Sequence, residues 1–440
     1  MEKNFNASRL FIASCLALLV TSLTFAIRAR IEGVFQTDYG LSAQDVGWAF
    51  GPAFWGFTVA MFAGGLLIDA VKTRSIVWMA FINHVIGITA LLMAEDKTTL
   101  FVANIFIGLG NGSVEAACNP LVATIYSDNK TKMLNRFHVW FPGGLVLGGI
   151  LAVLLMDTFH ISWQVLTALL FIPLALYGYL FFGQNIPETE RVSSGVSFKN
   201  MLRNVSAPFT IITVVFYMIL AASFPVLAID FNSTLTYVIM AVIVVAVIIE
   251  GKVINKTSLL FPFMLLCMFL TASSELGTNQ WINALLTNNG INPMIILVVV
   301  TGIMAVGRYF AGPLVHRLNP AGVLVGSAVF AFIGLYLLSI ADGAGFTLFA
   351  AIIFAVGVCY FWPTMLGFVT EYIPSSGALG LSIIGGAGMV ATSMVLPIMG
   401  ESIDTAGPQM TLRYMSVLPA ILILLFIGLN IYMKGKKIRH

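Results

Sequence analysis

Charge is what this chain has least of: 9% of its 440 residues are Asp, Glu, Lys or Arg, where soluble domains carry about 25%. With 59% of residues hydrophobic, water cannot be the solvent for most of the surface, which excludes an ordinary soluble domain and predicts a lipid-embedded one. Cysteine is scarce too. Cys15, Cys118, Cys267 and Cys359 lie inside apolar stretches without paired spacing, so neither a disulfide frame nor a metal site is expected. No cluster of carboxylates and histidines stands at an aqueous face. That argues against a membrane enzyme acting on a lipid-linked sugar, which needs one to hold a metal or activate a nucleophile. A repeated filter loop is missing, which disfavours a channel. A soluble signalling domain is missing as well, which weakens the reading as a non-transporting membrane sensor. No small-residue cleavage site follows the first apolar run, so it is predicted to be a retained helix rather than a signal peptide. No cofactor, metal or nucleic-acid partner is expected.

What is there is a succession of apolar segments. They run at 10–32, 45–69, 75–94, 99–126, 136–156 and 161–183, then 209–229 and 234–249, then 258–286, 292–315, 321–340, 345–370, 378–400 and 411–433. Most exceed the roughly 20 residues a helix needs to cross a bilayer. The count is fourteen, or twelve if the middle pair lies on the surface. The polar stretch 184–208, with Pro187, Glu188, Glu190 and Arg191, is the clearest linker, and a second charged turn, Glu250-Gly251-Lys252, precedes the last six segments. The predicted organisation is an N-terminal six-helix bundle (1–183), a cytosolic linker (184–208), an inserted helical hairpin (209–257) and a C-terminal six-helix bundle (258–440). With both termini inside, only Arg28, Arg30, Lys97 and Arg413 fall at or near the outer side, and Arg308 within a span. The other lysines and arginines, from Lys3 to Arg439, fall on the inner side. This asymmetry follows the positive-inside rule and predicts a multi-pass protein of a bacterial inner membrane, both termini cytoplasmic. A monomer is expected.

The two six-helix blocks repeat landmarks in order. The second helices end Gly64-Gly65-Leu66-Leu67-Ile68-Asp69, before Lys72 and Arg74, and Gly312-Pro313-Leu314-Val315-His316-Arg317. The fourth helices carry Asn119-Pro120 and Trp362-Pro363; the fifth carry Gly143-Gly144 with Gly148-Gly149, and Gly385-Gly386 with Gly388. Small residues let backbones approach, and proline frees carbonyls inside a span. Internal duplication of this kind marks transporters, whose substrate site lies between the halves near the midplane.

Gly65-Leu66-Leu67-Ile68-Asp69 with Lys72 and Arg74 resembles the loop 2–3 signature of the major facilitator superfamily, with Ala70 where the basic residue usually follows the Asp and His316 at the Asp position of the second half. That resemblance implies an all-α membrane protein of two pseudo-symmetric six-helix bundles. Gly110-Asn111-Gly112-Ser113-Val114-Glu115-Ala116-Ala117-Cys118-Asn119-Pro120 looks like the fourth helix of the fucose:proton symporter family. Gly302-Ile303-Met304 through Gly307-Arg308-Tyr309-Phe310-Ala311-Gly312 is similar to that family's eighth helix, and Tyr360-Phe361-Trp362-Pro363-Thr364 to its tenth. The first two helices, with Phe25-Ala26-Ile27-Arg28, Leu41-Ser42 and Phe54-Trp55-Gly56-Phe57, look more like the anion:cation symporter family. There an arginine on the first helix engages a substrate carboxylate. The acidic residue of that family's first helix has no secure match, although Glu32 is nearby.

A charge at the centre of a span costs roughly 3 kcal/mol on insertion scales, so each needs a reason. Glu115 and Glu275 lie mid-span in the two halves, and a carboxyl protonated or charged according to the side it faces is what proton coupling requires; the plainer alternative is a static ion pair. Arg28 is read either as an anion clamp, since guanidinium matches carboxylate geometry, or as a side chain snorkelling to headgroups. Asn119, Asn279, Gln280 and Trp281 supply what a sugar site requires, amides for hydroxyls and an indole face for ring C–H groups. Trp140 and Trp362 are further candidates for that site but suit interface packing better, and His138, near Arg136, suits a satisfied structural role better than a place on a proton route. Asp69, Lys72, Arg74, Arg136, Arg308 and Arg317 are expected to form charge pairs that open and close the inner gate. The leading expectation is proton-coupled uptake of a monosaccharide or of a sugar acid such as a sialic acid or hexuronate. An organic-anion or monocarboxylate symporter is the alternative, and sodium stays open as the coupling ion.

Overall fold

Fourteen helices carry the described part of the chain in the computed structural model, which describes residues 5–126, 133, 136–193, 195, 197–199, 202, 205, 207–223, 234–256, 258–286, 290–373 and 376–434. They are α1 (Ala7–Thr37), α2 (Ala43–Ile68), α3 (Ala70–Leu92), α4 (Lys97–Ile125), α5 (Arg136–Thr158) and α6 (Trp163–Phe181), then the pair α7 (Pro208–Ser223) and α8 (Thr234–Ile248). After these come α9 (Leu260–Gln280), α10 (Pro293–Tyr309), α11 (Arg317–Ser339), α12 (Ala344–Val369), α13 (Leu379–Ala406) and α14 (Pro408–Lys434). Eleven of them, all but α7, α8 and α10, are long and apolar enough to cross a membrane. No strand occurs among the described residues. The protein is an all-helical, multi-pass membrane protein.

Helix starts follow local chemistry. Asn6 caps α1 through a bond from the Arg9 N–H at 3.0 Å, and Asn292, just ahead of Pro293, caps α10. Asp96 opens α4 with a capping box, accepting the Thr98 and Thr99 N–H groups at 2.8 Å each. The duplication seen in the sequence recurs in the backbone: the third residue of α3, Lys72, and the third of α11, Asn319, have φ of +66° and +54°. Both turns are made by a non-glycine residue in a conformation that side chains rarely adopt.

Close helix packing rests on small residues. A Cβ at Gly112 of α4 would strike the Phe57 carbonyl of α2, and one at Gly357 of α12 would strike the Ala331 backbone of α11. The two halves meet along α2 against α13, α5 against α10 and α1 against α9. At mid-helix the Thr58 hydroxyl donates to the Gly386 carbonyl at 2.5 Å. The far end of the bundle, opposite the start of α1 and the finish of α14, is bonded shut between halves: Asn292 donates to Asp157 at 2.6 Å, and the Gln44 N–H to Asp404 at 3.4 Å.

The middle pair packs at the edge, α7 against α8 and α13. The expected charged turn Glu250-Gly251-Lys252 is instead part of a wide π turn, Ile249–Ile254, that continues α8. Glu250 is buried there, and its carboxylate accepts the Phe209 and Thr210 N–H groups (3.1 and 2.8 Å) and the Thr210 hydroxyl (2.6 Å). The carboxylate thus answers the positive pole of α7 and ties the two inserted helices together.

Candidate functional site

Two residues of α1 two positions apart are treated in opposite ways. Arg30 faces outward and pairs with Asp157 of α5 at 2.7 Å. Arg28 faces inward and is 3% exposed, so it does not snorkel. Its guanidinium carbon sits 4.7 Å from the Phe25 ring centre, 4.9 Å from that of Phe54 and 6.0 Å from that of Phe50. Ring faces ease a buried cation, but they cannot accept its N–H groups in a line. Both terminal nitrogens lack a hydrogen-bond partner among the described residues, which is costly in a water-poor interior.

Unpartnered polar atoms also collect on α9. That helix widens into a π turn at Ser273–Gly277, which holds Glu275, and then breaks at Trp281 before the short continuation Ile282–Leu286. Such turns often mark functional positions. Ser273 Oγ, Thr278 Oγ1, both amide atoms of Asn279 and Gln280 Oε1 are buried without a partner, as is Ser113 Oγ on α4. Gln280 Nε2 donates to the Phe25 carbonyl at 3.5 Å, which sets this polar run beside the turn of α1 that carries Arg28. Trp281 is turned the other way, its indole N–H donating to the Leu396 carbonyl of α13 at 3.0 Å. Past the break, the Asn283 amide donates to the Ala29 carbonyl, and Glu32 accepts the Ala284 N–H at 3.3 Å. α9 is therefore clasped to α1 on the far side of Arg28.

The two mid-span carboxylates have different surroundings. Glu275 pairs with Arg308 of α10 at 3.4 Å, and Arg308 Nε also donates to the Cys359 carbonyl at 2.9 Å. Glu115 has no ion pair among the described residues. It accepts from the Asn119 side-chain amide one turn along α4, and Asn119 Oδ1 in turn accepts from His138 Nε2 at 3.0 Å. Arg308 lies within electrostatic range of His138 across the α5–α10 contact.

Of the residues expected at the gate, Lys72, Arg74, Arg136 and Arg317 are exposed and make no ion pair among the described residues, while Arg308 is buried in its pair with Glu275. The Asp69 side chain lies outside the described residues. Trp140 is 41% exposed on the bundle surface, and Trp362 packs half-buried against Gly388. A polar chain that sequence reasoning missed runs through the first half: the Tyr177 hydroxyl meets His84 Nδ1 at 3.1 Å, His84 Nε2 meets Asn111 Oδ1 at 2.9 Å, and Asn111 Nδ2 donates to Thr24 at 3.0 Å. Its signal was available as a histidine inside an apolar segment. Every member is satisfied, which suits a structural hub between α1, α3, α4 and α6. Among the described residues no group of three or more His, Cys, Asp and Glu could hold a metal ion.

The sequence matches the family model described as Major Facilitator Superfamily over residues 10–287. No curated protein matches it significantly. Among solved structures, an auto-inhibited POT family peptide transporter is 13% identical with a TM-score of 0.71, covering 98% of each chain. The xylose transporter XylE from E. coli, in a partially occluded inward-open conformation, is 12% identical with a TM-score of 0.69, covering 96% of this chain and 99% of that one. The human organic anion transporter MFSD10 (TETRAN) is 12% identical with a TM-score of 0.63, with the same coverage. At these identities the likeness is one of fold.

Proposed function

The chain belongs to the Major Facilitator Superfamily, and on that footing we propose that it is a proton-coupled symporter for a small acidic solute, a sugar acid or related organic carboxylate, working by alternating access. Arg28 carries the reading. A buried guanidinium with two unpartnered terminal nitrogens is a standing request for an anion, and a carboxylate fits its fork with two parallel bonds. Asn279, Gln280 and Thr278 offer unpartnered donors and acceptors nearby, which suit hydroxyl or amide groups on the rest of the solute. These groups come from α1 and α9, one from each half, so a solute bound between them bridges the halves.

In this reading Glu115 is the coupling carboxylate. Glu275, neutralised by Arg308 at 3.4 Å, takes part through that pair. Arg308 and the exposed Lys72, Arg74, Arg136 and Arg317, with Asp69, belong to the inner gate. The chain lies in a bacterial inner membrane with both termini in the cytosol, its halves spanning 1–183 and 258–440 around a linker (184–208) and an edge hairpin (209–257).

The test is uptake by purified protein in liposomes, offered neutral sugars and sugar acids with and without an inward proton gradient. Gradient-driven accumulation of an acid is expected, lost in Glu115→Gln while exchange of preloaded acid persists. Accumulation of neutral sugars alone would refute the acidic substrate; accumulation unchanged in Glu115→Gln would remove that residue from coupling.

A further inference from the structure

Resting on the reading of Glu115 as the coupling carboxylate, we propose that His138 is a positioning residue whose protonation is tied to that of Glu115 through the side-chain amide of Asn119. The geometry is specific. Asn119 turns its NH2 end to Glu115 Oε2 and its oxygen end to His138 Nε2, 3.0 Å away. An amide oxygen only accepts, so His138 carries a hydrogen on Nε2 in this arrangement. Turned over, the amide would offer its NH2 to His138, which then needs a bare Nε2, and its oxygen to Glu115, which then needs a protonated carboxyl. The first arrangement admits Glu115 charged, or neutral with its proton on the other oxygen, beside either the Nε2–H tautomer or the imidazolium. The second admits only a neutral Glu115 beside the neutral Nδ1–H tautomer. A proton gained or lost at either end therefore biases the other, and none has to pass through the amide.

Placement gives this link a use. Glu115 is 7% exposed, whereas His138 is half-buried and two residues from exposed Arg136 at the start of α5. The histidine stands between the near end of the bundle and the carboxylate. Among the described residues, the other titratable or charged groups around the pair are Arg308 on α10, itself held by Glu275 of α9, and Cys118 on α4 beside Glu115, with Cys15 of α1 beyond it against Cys118. Because Arg308 belongs to the other half, the field on His138 changes whenever α5 and α10 move relative to each other. Rocking of the halves is thereby read by the histidine and passed to Glu115.

Infrared titration of purified protein tests this without any transport. The carbonyl band of protonated Glu115, identified by its loss in Glu115→Gln, is followed against pH in wild type, His138→Gln, Asn119→Leu and the double variant. Gln keeps an N–H donor toward Asn119 but cannot titrate; Leu removes the link. Each single change is expected to move the Glu115 midpoint by about one pH unit, and the double change to move it no further. An unmoved midpoint in His138→Gln, or a double shift equal to the sum of the single ones, overturns the proposal. Absence of proton-driven uptake by the wild type in liposomes would instead refute the symport reading, whatever the titration shows.

Discussion

Arg28 is buried among Phe25, Phe50 and Phe54 with its terminal nitrogens unpartnered, and a side chain so placed lowers stability unless something binds it. Removing an uncompensated buried charge often stabilises a protein, and sites kept for function commonly carry such a penalty. Arg28→Met is therefore expected to raise the thermal midpoint of the purified protein while abolishing uptake of acids. Arg28→Gln, which keeps polarity without charge, should weaken acid binding about 30-fold or more. A fall in the thermal midpoint of Arg28→Met would mark the arginine as a packing residue. Glu275 differs at the same scale. With Arg308 3.4 Å away, it is half of a buried pair whose rupture leaves a charge uncompensated, whereas Glu115 has only the Asn119 amide, itself bonded to His138. That contrast favours Glu115 over Glu275 as the coupling carboxylate of the proposed symport.

Among the described residues, three helices depart from regular α geometry in the same way. The π turns Val153–Thr158, Ile249–Ile254 and Ser273–Gly277 each carry an acidic residue, Asp157, Glu250 and Glu275. Each of those carboxylates bonds another element: Asp157 meets α1 and the cap of α10, Glu250 the first turn of α7, and Glu275 meets α10. Widening a turn re-aims a side chain without ending the helix, which lets an apolar helix reach a polar partner at one point. The start of α4 offers a pH test. The Thr99 backbone N–H, together with the Thr99 hydroxyl and Thr98 N–H, holds the Asp96 carboxyl below the usual carboxylate range. A carboxylate lowered in the folded state stabilises above its unfolded pKa and loses that effect as pH falls through its folded value. The thermal deficit of Asp96→Ala is thus expected to be largest at neutral pH and to shrink in acid. A deficit independent of pH would assign the effect to Thr99 rather than to the charge.

For the whole molecule, the far end is closed by bonds that cross from one half to the other. Asp157 is the centre of one set, taking Arg30 at 2.7 Å from its own half and Asn292 at 2.6 Å from the other. Glu32 and Asn283 add the α1–α9 clasp. Alternating access requires these bonds to break when the halves rock, so they set part of the balance between the two states. Asp157→Ala is expected to favour opening of the far end by about tenfold. The measurement is labelling of a cysteine at Val34 by an impermeant thiol reagent, in a chain with Cys15, Cys118, Cys267 and Cys359 replaced. Unchanged labelling would show that the α1–α9 clasp and the Gln44–Asp404 bond hold this end without Asp157.

The sequence by itself determined that lipid surrounds the chain and that it folds into many membrane-crossing helices, and it left their number open between twelve and fourteen, because span length and hydrophobic runs are local properties while the seating of the middle pair is not. It also singled out Arg28, Glu115 and Glu275, since an ionisable group inside an apolar run stands out in one dimension. Which way each side chain faces was not legible. Arg28 and Arg30 lie two residues apart in equally apolar surroundings, and only the packing of α5 and α9 against α1 turns one outward to Asp157 and the other inward. Likewise the pairing of Glu275 with Arg308, 33 residues on, and the chain from Glu115 to His138 needed two helices brought side by side. Partners are decided by contact, and contact between helices is a property of the fold rather than of any segment.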